Sequence, residues 1–318
     1  MSKKTGGIIL NPSCRIHCLF CGSKDKVSKE ELRRQEVDVY KNLKDLKSKG
    51  IKSIEISGAD PGEYDKLPEL IEYIKKEEGF ESVRLSTHGI TLSDSDFLDK
   101  LIDSGLDSIR VPIYGSTAEV HDSVTQTKGS FDGVVSGIKD LKKKADDVGI
   151  QVSCLMMKQN KDDLCNIVDF VVKELGIKNL YFSVPCIAQD NYDEFYVPFK
   201  DLVPYARKLY KYALEINSEY ADEGPHKIRF IEIPFCIFGE YNRDIVDNLT
   251  GPPHLGKYNQ PPEQHKSEVE DLPKYRIKKK VEMCEDCDAF KYCDGFFQND
   301  INKFGTGNIK NINENEKS

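Results

Sequence analysis

The 318-residue sequence lacks three features that would each assign it to a class of proteins. No apolar run approaches the ~18–20 residues that span a bilayer, so we expect no membrane partner. The first seven residues contain no apolar stretch of the kind found in secretory signals, which predicts a cytoplasmic protein. Basic residues do not exceed acidic ones: the counts are 46 and 54, and the net charge is −8. This balance predicts no nucleic-acid partner, because phosphate binding requires a basic excess.

Cysteine is abundant, and most of the cysteines are grouped towards the two ends of the chain. The ten positions are Cys14, Cys18, Cys21, Cys154, Cys165, Cys186, Cys236, Cys284, Cys287 and Cys293. A disulfide-stapled secreted protein would be shorter and would carry cysteines throughout. The grouping therefore favours a reducing compartment and metal ligation, and the scattered central cysteines are by default small buried hydrophobes.

Strand-like and helix-like patterns alternate between residues 7 and 233. The predicted helices are 28–48, 67–76, 93–104, 131–144, 161–175 and 201–220. Seven short apolar runs separate or flank them, which predicts βαβ units and a parallel sheet. Alternation alone allows an open sheet or a partial barrel, and in both folds function lies at the carboxyl ends of the strands.

Three cysteines follow the first predicted strand with the spacing Cys14-x3-Cys18-x2-Cys21. Three thiolates within eight residues can converge on one metal centre. A structural zinc site needs four ligands and usually pairs C-x2-C units, so this spacing does not suit zinc. It suits a [4Fe–4S] cubane with one iron left open for a small molecule. A chance group of buried cysteines is the alternative.

At these residues the sequence resembles the radical S-adenosylmethionine (SAM) superfamily, whose signature C-x3-C-x-aromatic-C is matched from Cys14 to Cys21. The resemblance covers roughly residues 7–190 and implies an α/β fold, a partial (β/α)6 barrel. It also implies SAM as cofactor, chelated by the open iron. The reduced cluster would cleave SAM to a 5′-deoxyadenosyl radical that abstracts hydrogen from a substrate. An electron donor such as a flavodoxin or ferredoxin would be a partner.

The same resemblance assigns SAM contacts residue by residue. The family's Gly-Gly-Glu-Pro corresponds to Ser57-Gly58-Ala59-Asp60-Pro61, whose backbone would hold the SAM amino group. Its Thr-Asn-Gly corresponds to Thr87-His88-Gly89, in which His88 replaces the amide side chain. Phe20 would lie against the adenine, and Asn160 near the ribose or carboxylate. For Asn160, a loop-capping role is the alternative.

A second block, Tyr114-Gly115 to Gly129-Ser130-Phe131, resembles a radical SAM subgroup that includes peptide maturases of the His-Xaa-Ser type. Its His121-Asp122 pair would by itself also suit a metal phosphohydrolase. Without further histidines, a structural turn is the simpler interpretation of this pair.

The second cysteine group has the spacing Cys284-x2-Cys287-x5-Cys293, and Cys236 at a predicted strand end could complete four ligands. Four thiolates suit either a closed zinc site or a fully ligated [4Fe–4S] cluster, and ligand chemistry leaves both open. The resemblance favours an auxiliary [4Fe–4S] cluster, because family members with a twitch or SPASM-like end carry Cys-x2-Cys-x5-Cys-x-Gly. We expect one such cluster, with Cys236 as its fourth ligand.

The resemblance also implies a division of the chain and a candidate catalytic residue. We expect a radical SAM barrel over residues 1–225, a small Cys-rich auxiliary-cluster extension over 226–305 and a disordered tail over 306–318. Cys186, after the sixth predicted strand, could donate a hydrogen atom to a substrate radical, as in family epimerases. A packed cysteine is the alternative.

These features together predict a radical SAM enzyme whose substrate is a peptide or protein side chain. A small-molecule substrate, such as a carbohydrate or cofactor precursor, is the enzymatic alternative. An iron–sulfur or zinc module that senses redox state is the non-enzymatic one. SAM cleavage by the reduced protein separates an enzyme from a sensor.

Overall fold

The computed structural model describes residues 5–10, 13–21, 29–187, 190–221, 227–240, 242–247 and 276–313, with only the backbone for 29–37. The described residues divide into two compact units. Unit 1 contains residues up to 113 together with 125–152. Unit 2 contains residues 114–124, 153–247 and 276–313.

Eight strands follow one another along the described part of the chain. They are β1 Thr5–Ile9, β2 Ser53–Ser57, β3 Ser82–Ser86, β4 Ser108–Pro112, β5 Gly149–Leu155, β6 Asn179–Ser183, β7 Lys227–Ile231 and β8 Val246–Asp247. Neighbours from β1 to β4 in unit 1, and from β6 to β8 in unit 2, run parallel. A separate antiparallel pair joins β9 Lys278–Lys279 to β10 Phe296–Phe297.

Helices occupy the connections between β1 and β8, and one further helix follows β10. They are α1 Lys29–Ser48, α2 Leu67–Lys76, α3 Ser95–Asp103, α4 Ala118–Thr125, α5 Ser130–Lys144, α6 Leu164–Asp169, α7 Phe199–Glu219, α8 Phe235–Phe238 and α9 Gln298–Phe304. Residues 170–174 extend α6 as a π-helical turn. None of the helices in the described ranges is long and apolar enough to cross a bilayer.

The sheet of unit 1 has one apolar and one polar face. Ile54 pairs with Val83, and Ile56 with Leu85, and all four side chains are buried. Burial of each such side chain stabilises the fold by about 1.5–3 kcal/mol. Because side chains alternate along a strand, the intervening residues face the other side of the sheet, and there Glu55 on β2 accepts from Arg110 on β4.

The C-terminal residues of unit 2 pack through aromatic side chains. The ring of Phe199, at the start of α7, lies 5.8 Å from that of Phe296 and 6.2 Å from that of Phe297. Tyr196 stacks on Phe304, and its hydroxyl donates to Asp300 at 2.6 Å. These side chains join the C-terminal residues 296–304 to the core of this unit.

The α/β fold with parallel strands is confirmed, and so is each of the seven predicted strands and six predicted helices, within a few residues. The eight-residue helix α4 replaces the turn expected around His121, and Cys236 lies in the one-turn helix α8. The division at residues 225 and 305 stays a prediction. In the described part of the predicted tail, 306–313, Ile309 and Ile312 are buried, so this stretch is packed.

Candidate functional site

The N-terminal cysteines share one loop after β1. Cys18 is buried, Cys14 and Cys21 are half-buried, and the Cys21 N–H donates to the Cys18 carbonyl at 3.1 Å. Burial first, and neighbouring thiols to a smaller extent, raise the pKa of Cys14 to about 11 and that of Cys18 to about 12. Thiolates at these positions therefore need a cationic partner, which iron supplies, and three thiol donors in one loop fit a [4Fe–4S] cluster with an open iron.

Residues 125–127 anchor the middle of this cysteine loop. The His17 N–H donates to the Thr125 carbonyl at 3.0 Å and to Thr127 Oγ1 at 3.3 Å. Between these two acceptors, Gln126 has a φ of 52°, a left-handed conformation that is uncommon outside glycine. The loop is thus held by backbone groups, independently of its thiols.

Asp60 joins the turns that follow β2 and β3. Its Oδ1 accepts from the Gly62 N–H and from Thr87 Oγ1, both at 2.7 Å, and its Oδ2 accepts from the His88 N–H at 2.6 Å. The Asp60 side chain is buried. Any contact of this turn with SAM is therefore expected from the backbone of Ser57–Ala59. Gly58 there is exposed, with a φ of 146° that L side chains rarely adopt.

His88 has its tautomer set by the backbone. Its Nδ1 accepts from the Ile90 N–H at 3.1 Å, so Nε2 carries the proton that points to Glu63 Oε1 at 3.0 Å. Ligand atoms of Cys14, Asp60 and His88 lie within 4.8 Å of one another. Because hydrogen bonds already occupy the Asp60 and His88 groups, we interpret this trio as a polar network beside Cys14.

Asn160 connects the loops after β4 and β5 in unit 2. Its Oδ1 accepts from the Met157 N–H at 2.8 Å, and its Nδ2 donates to the carbonyls of Leu155 and Tyr114 at 2.8 and 2.9 Å. The side chain is 0% exposed. These contacts match the loop-capping alternative, and an Asn160 contact with SAM stays a prediction. Phe20 lies half-buried in the cysteine loop, and its contact with adenine also stays a prediction.

His121, in α4, has a structural role. Its Nδ1 accepts from the Tyr114 N–H at 3.1 Å, and burial lowers its pKa to about 4, so the ring is neutral at physiological pH. A neutral imidazole whose Nδ1 is already hydrogen-bonded explains this residue without a metal. The structure therefore supports the structural interpretation of the His121-Asp122 pair over the phosphohydrolase one.

The C-terminal cysteines converge in unit 2. Cys236, Cys284, Cys287 and Cys293 all line one pocket. Burial raises the pKa of Cys236, and the other three thiols raise it further. The structure thus brings together all four predicted ligands, although Cys236 and Cys284 are 48 positions apart in the sequence.

Gly295, two residues after Cys293, packs directly against the backbone of β9. Its φ is 85°, and a Cβ there would lie 2.1 Å from the Lys279 carbonyl oxygen. Only glycine fits this close approach, which fixes the chain immediately after Cys293.

Cys186 lies after β6 among charged groups of unit 2. Burial and the Glu232 carboxylate raise its pKa to about 11, although the charge of Arg276 and a hydrogen bond with it act in the opposite direction. Arg276 forms an ion pair with Glu232 at 3.7 Å. These groups place polar chemistry around the thiol, while its role as a hydrogen donor stays a prediction.

Glu63 is a residue of this site that the sequence did not reveal. It contacts Ser13, Arg15 and His88. Its partners are 25 to 50 residues away in the chain, so no local spacing signals them. The one local hint is its position at the end of the Pro61–Glu63 turn capped by Asp60.

Curated proteins from other organisms are similar to this chain over part of its length. A probable GTP 3′,8-cyclase of Metallosphaera sedula is 27% identical over 176 residues, covering 55% of this chain and 53% of the relative. An AdoMet-dependent heme synthase of Methanosarcina barkeri is 28% identical over 189 residues, covering 58% and 52%. The chain thus spans about half the length of these curated relatives.

Solved structures share the fold over a longer range. Streptococcus suis SuiB, crystallised with its precursor peptide SuiA, matches 98% of this chain and 75% of its own, with a TM-score of 0.60 and 13% identity. At this identity the match shows the fold alone. The sequence model described as "Radical SAM superfamily", a family of enzymes that use SAM and a [4Fe–4S] cluster, matches residues 8–171. This match includes the cysteine loop and covers half of the sequence, and the chain therefore belongs to the radical SAM superfamily.

Proposed function

We propose that this chain uses a reduced [4Fe–4S] cluster, held by Cys14, Cys18 and Cys21, to cleave SAM and abstract hydrogen from a substrate. The observation that carries the proposal is the loop of three thiols after β1, anchored through backbone hydrogen bonds. When bound, the cluster supplies the electron that cleaves SAM. The chain orients SAM through the backbone of Ser57–Ala59, and a flavodoxin or ferredoxin would deliver the electron.

Anaerobic SAM cleavage tests this proposal. Reconstituted and reduced protein is expected to convert SAM to 5′-deoxyadenosine, which chromatography detects. The variant with Cys14, Cys18 and Cys21 all replaced by alanine is expected to lose this activity. Cys165→Ala, which removes a half-buried thiol on α6, is the matched control and should cleave SAM like the parent. Equal cleavage by the triple variant would contradict the assignment of these three ligands. No cleavage by the parent would instead leave a redox-sensing module as the alternative.

The proposal includes an auxiliary [4Fe–4S] cluster at the four C-terminal thiols, which would place the chain in a twitch or SPASM-like subgroup. Its support is that all four cysteines line one pocket of unit 2. Four thiolates suit a fully ligated cubane as well as a closed zinc site, and the resemblance of the Cys-x2-Cys-x5-Cys-x-Gly spacing favours the cubane. Zinc at this site is the alternative that metal analysis separates.

For the substrate, we propose a peptide or protein side chain. The support is the likeness in fold to SuiB, which extends over 98% of this chain and thus includes the C-terminal cysteine region. A second candidate is a small molecule in cofactor biosynthesis. It is favoured by the sequence relatives, whose names specify GTP cyclisation and heme synthesis.

Substrate-dependent SAM cleavage distinguishes the two candidates. Reduced protein is incubated with SAM and one candidate at a time: a short peptide encoded beside the gene, GTP, or an iron coproporphyrin. A change in the mass of the peptide, with 5′-deoxyadenosine formed above the basal level, is the expected result. Consumption of GTP or of the porphyrin, with the peptide unchanged, would instead establish the small-molecule candidate.

A further inference from the structure

The carboxylate of Glu63 receives hydrogen bonds from two separate segments of unit 1, the cysteine loop and the turn after β3. Ser13 Oγ donates to its Oε2 at 3.1 Å. The Arg15 N–H and Arg15 Nε donate to its Oε1 at 3.0 and 2.8 Å, and the distance from His88 Nε2 to the same oxygen is 3.0 Å. The side chain is 11% exposed, so these donors replace most of its water.

Cys14 lies between two of these partners. Ser13 and Arg15 are its immediate neighbours in the chain, and each is bound to Glu63. The backbone on both sides of the thiol is therefore fixed to one carboxylate. This arrangement determines where the first cluster ligand can lie before any metal binds.

The charge state of Glu63 suits this arrangement. Although burial opposes ionisation, hydrogen bonds from His88 and Arg15 lower its pKa to about 2. An ionised carboxylate only accepts hydrogen bonds, so it can face all four donors without presenting a proton of its own. A glutamine has one acceptor oxygen, and its NH₂ group would face donors.

Glu63 also links the cysteine loop to two neighbouring turns. It ends the turn that begins with Ser57–Ala59, the predicted contact of the SAM amino group. Through His88 it reaches the turn after β3, and His88 is in turn bound to Asp60 through its backbone N–H. The three loops are therefore held together by two carboxylates.

We infer that Glu63 is a positioning residue, which fixes Cys14 for cluster binding and couples the cysteine loop to the SAM-binding turn. The inference rests on the proposed function of Cys14, Cys18 and Cys21. Groups that orient metal ligands without touching the metal typically change metal affinity 10–100-fold when they are replaced. We expect an effect of this size on the N-terminal cluster.

The test compares Glu63→Gln with Glu69→Gln, a matched control on the exposed side of α2. Both are prepared as the full reconstituted chain. Two quantities are measured: the rate of iron loss to a chelator, and the change that SAM produces in the electron paramagnetic resonance (EPR) spectrum of the reduced protein. Glu63→Gln is expected to lose the SAM-responsive cluster at least about tenfold faster and to show an altered EPR spectrum. Glu69→Gln should behave like the parent.

A second variant keeps the inference testable if Glu63→Gln does not fold, which circular dichroism would reveal. Arg15→Gln removes a half-exposed guanidinium donor but keeps the backbone N–H bond to Glu63, so an intermediate rate of cluster loss is expected. Unchanged rates and spectra in Glu63→Gln would overturn the inference. If Glu63→Gln does not fold, parent-like behaviour of Arg15→Gln would overturn it. A parent protein without any SAM-responsive signal would instead overturn the proposed function.

Discussion

Single polar side chains hold the loops at the carboxyl ends of the strands in this protein. Asp60 and Asn160 are buried, and each satisfies several donors or acceptors from neighbouring loops. A buried polar group left without a partner costs about 1–3 kcal/mol, so each of these residues specifies one arrangement of its loop. Cys236 is a further single residue of this kind, because it is far in sequence from Cys284, Cys287 and Cys293, the other predicted ligands of the C-terminal site.

Replacement of Cys236 tests whether the C-terminal site is closed. With four thiolates a cubane has no open iron, whereas Cys236→Ala would leave one iron open to water or substrate. We expect Cys236→Ala to make the auxiliary cluster labile or to change its EPR spectrum, and to leave SAM binding at the N-terminal cluster intact. An unchanged auxiliary spectrum would favour direct ligation of substrate at that site.

Asp300 is expected to make stability depend on pH. Burial raises its pKa to about 6, and among the described residues its Oδ1 has no hydrogen-bond partner. The folded state therefore binds a proton more tightly than the unfolded state, in which the pKa is near 4. Between about pH 4 and 6, this residue lowers the free energy of unfolding as pH rises, by about 3 kcal/mol in total.

Asp300→Asn removes this titration. The variant is expected to flatten the pH dependence of the melting temperature between about pH 4 and 6 relative to the parent. Asp103→Asn, at an exposed position on α3, should keep the parent's profile. Identical slopes for the parent and Asp300→Asn would show that Asp300 does not titrate in this range.

At the scale of elements, the polar face of the sheet depends on one strong ion pair. Arg110 Nη1 on β4 lies 2.8 Å from Glu55 Oε1 on β2, and the Glu55 side chain is 3% exposed. Arg84 on β3 is 3.9 Å from the same carboxylate, and its side chain is 34% exposed. The two arginines thus make contacts of very different strength to one acid.

Arg110→Met should destabilise the protein more than Arg84→Met. Removing the close partner leaves Glu55 charged and buried, which typically costs about 3–5 kcal/mol. The distant, solvated Arg84 contact is expected to contribute at most about 1 kcal/mol. Urea denaturation of both variants measures the difference in the free energy of unfolding. A loss in Arg84→Met that equals or exceeds that of Arg110→Met would contradict this order.

The elements were predictable from the sequence where the pattern was local. The apolar spacing of α2, with Pro68 in its first turn, predicted its bounds of 67–76 without error. α4 was missed because it is short and its sequence, AEVHDSVT, is mostly polar. The cysteine spacings identified both candidate metal centres, whereas the contact of Glu63 with Ser13 and His88 forms only when distant loops meet. The position of Cys236 at a predicted strand end suggested it as a fourth C-terminal ligand, which stays a prediction, and the structure places it in one pocket with the other three thiols. The one-turn helix that carries Cys236 was not predicted.

At the scale of the whole molecule, the number of irons bound per chain tests how many clusters the protein holds. Two cubanes require about eight irons per chain, so the variant with Cys14, Cys18 and Cys21 replaced should retain about four. Replacement of Cys284, Cys287 and Cys293 should also leave about four, and that variant should keep the SAM-responsive EPR signal. Zinc in place of residual iron in the first variant would assign the C-terminal site to a structural zinc ion.

The meeting of Cys236 with Cys284, Cys287 and Cys293 also has a topological consequence. A metal centre bound to all four thiols closes a ring of about 50 residues and acts as an inorganic cross-link. By analogy with a disulfide, a ring of this length lowers the conformational entropy of the unfolded chain. This stabilises the folded state by about 4 kcal/mol at 25 °C. A protease cut between residues 248 and 275 would leave two fragments that also pack through aromatic side chains. In mild urea, the fragments are then expected to stay together while the metal is bound and to separate when a chelator removes it.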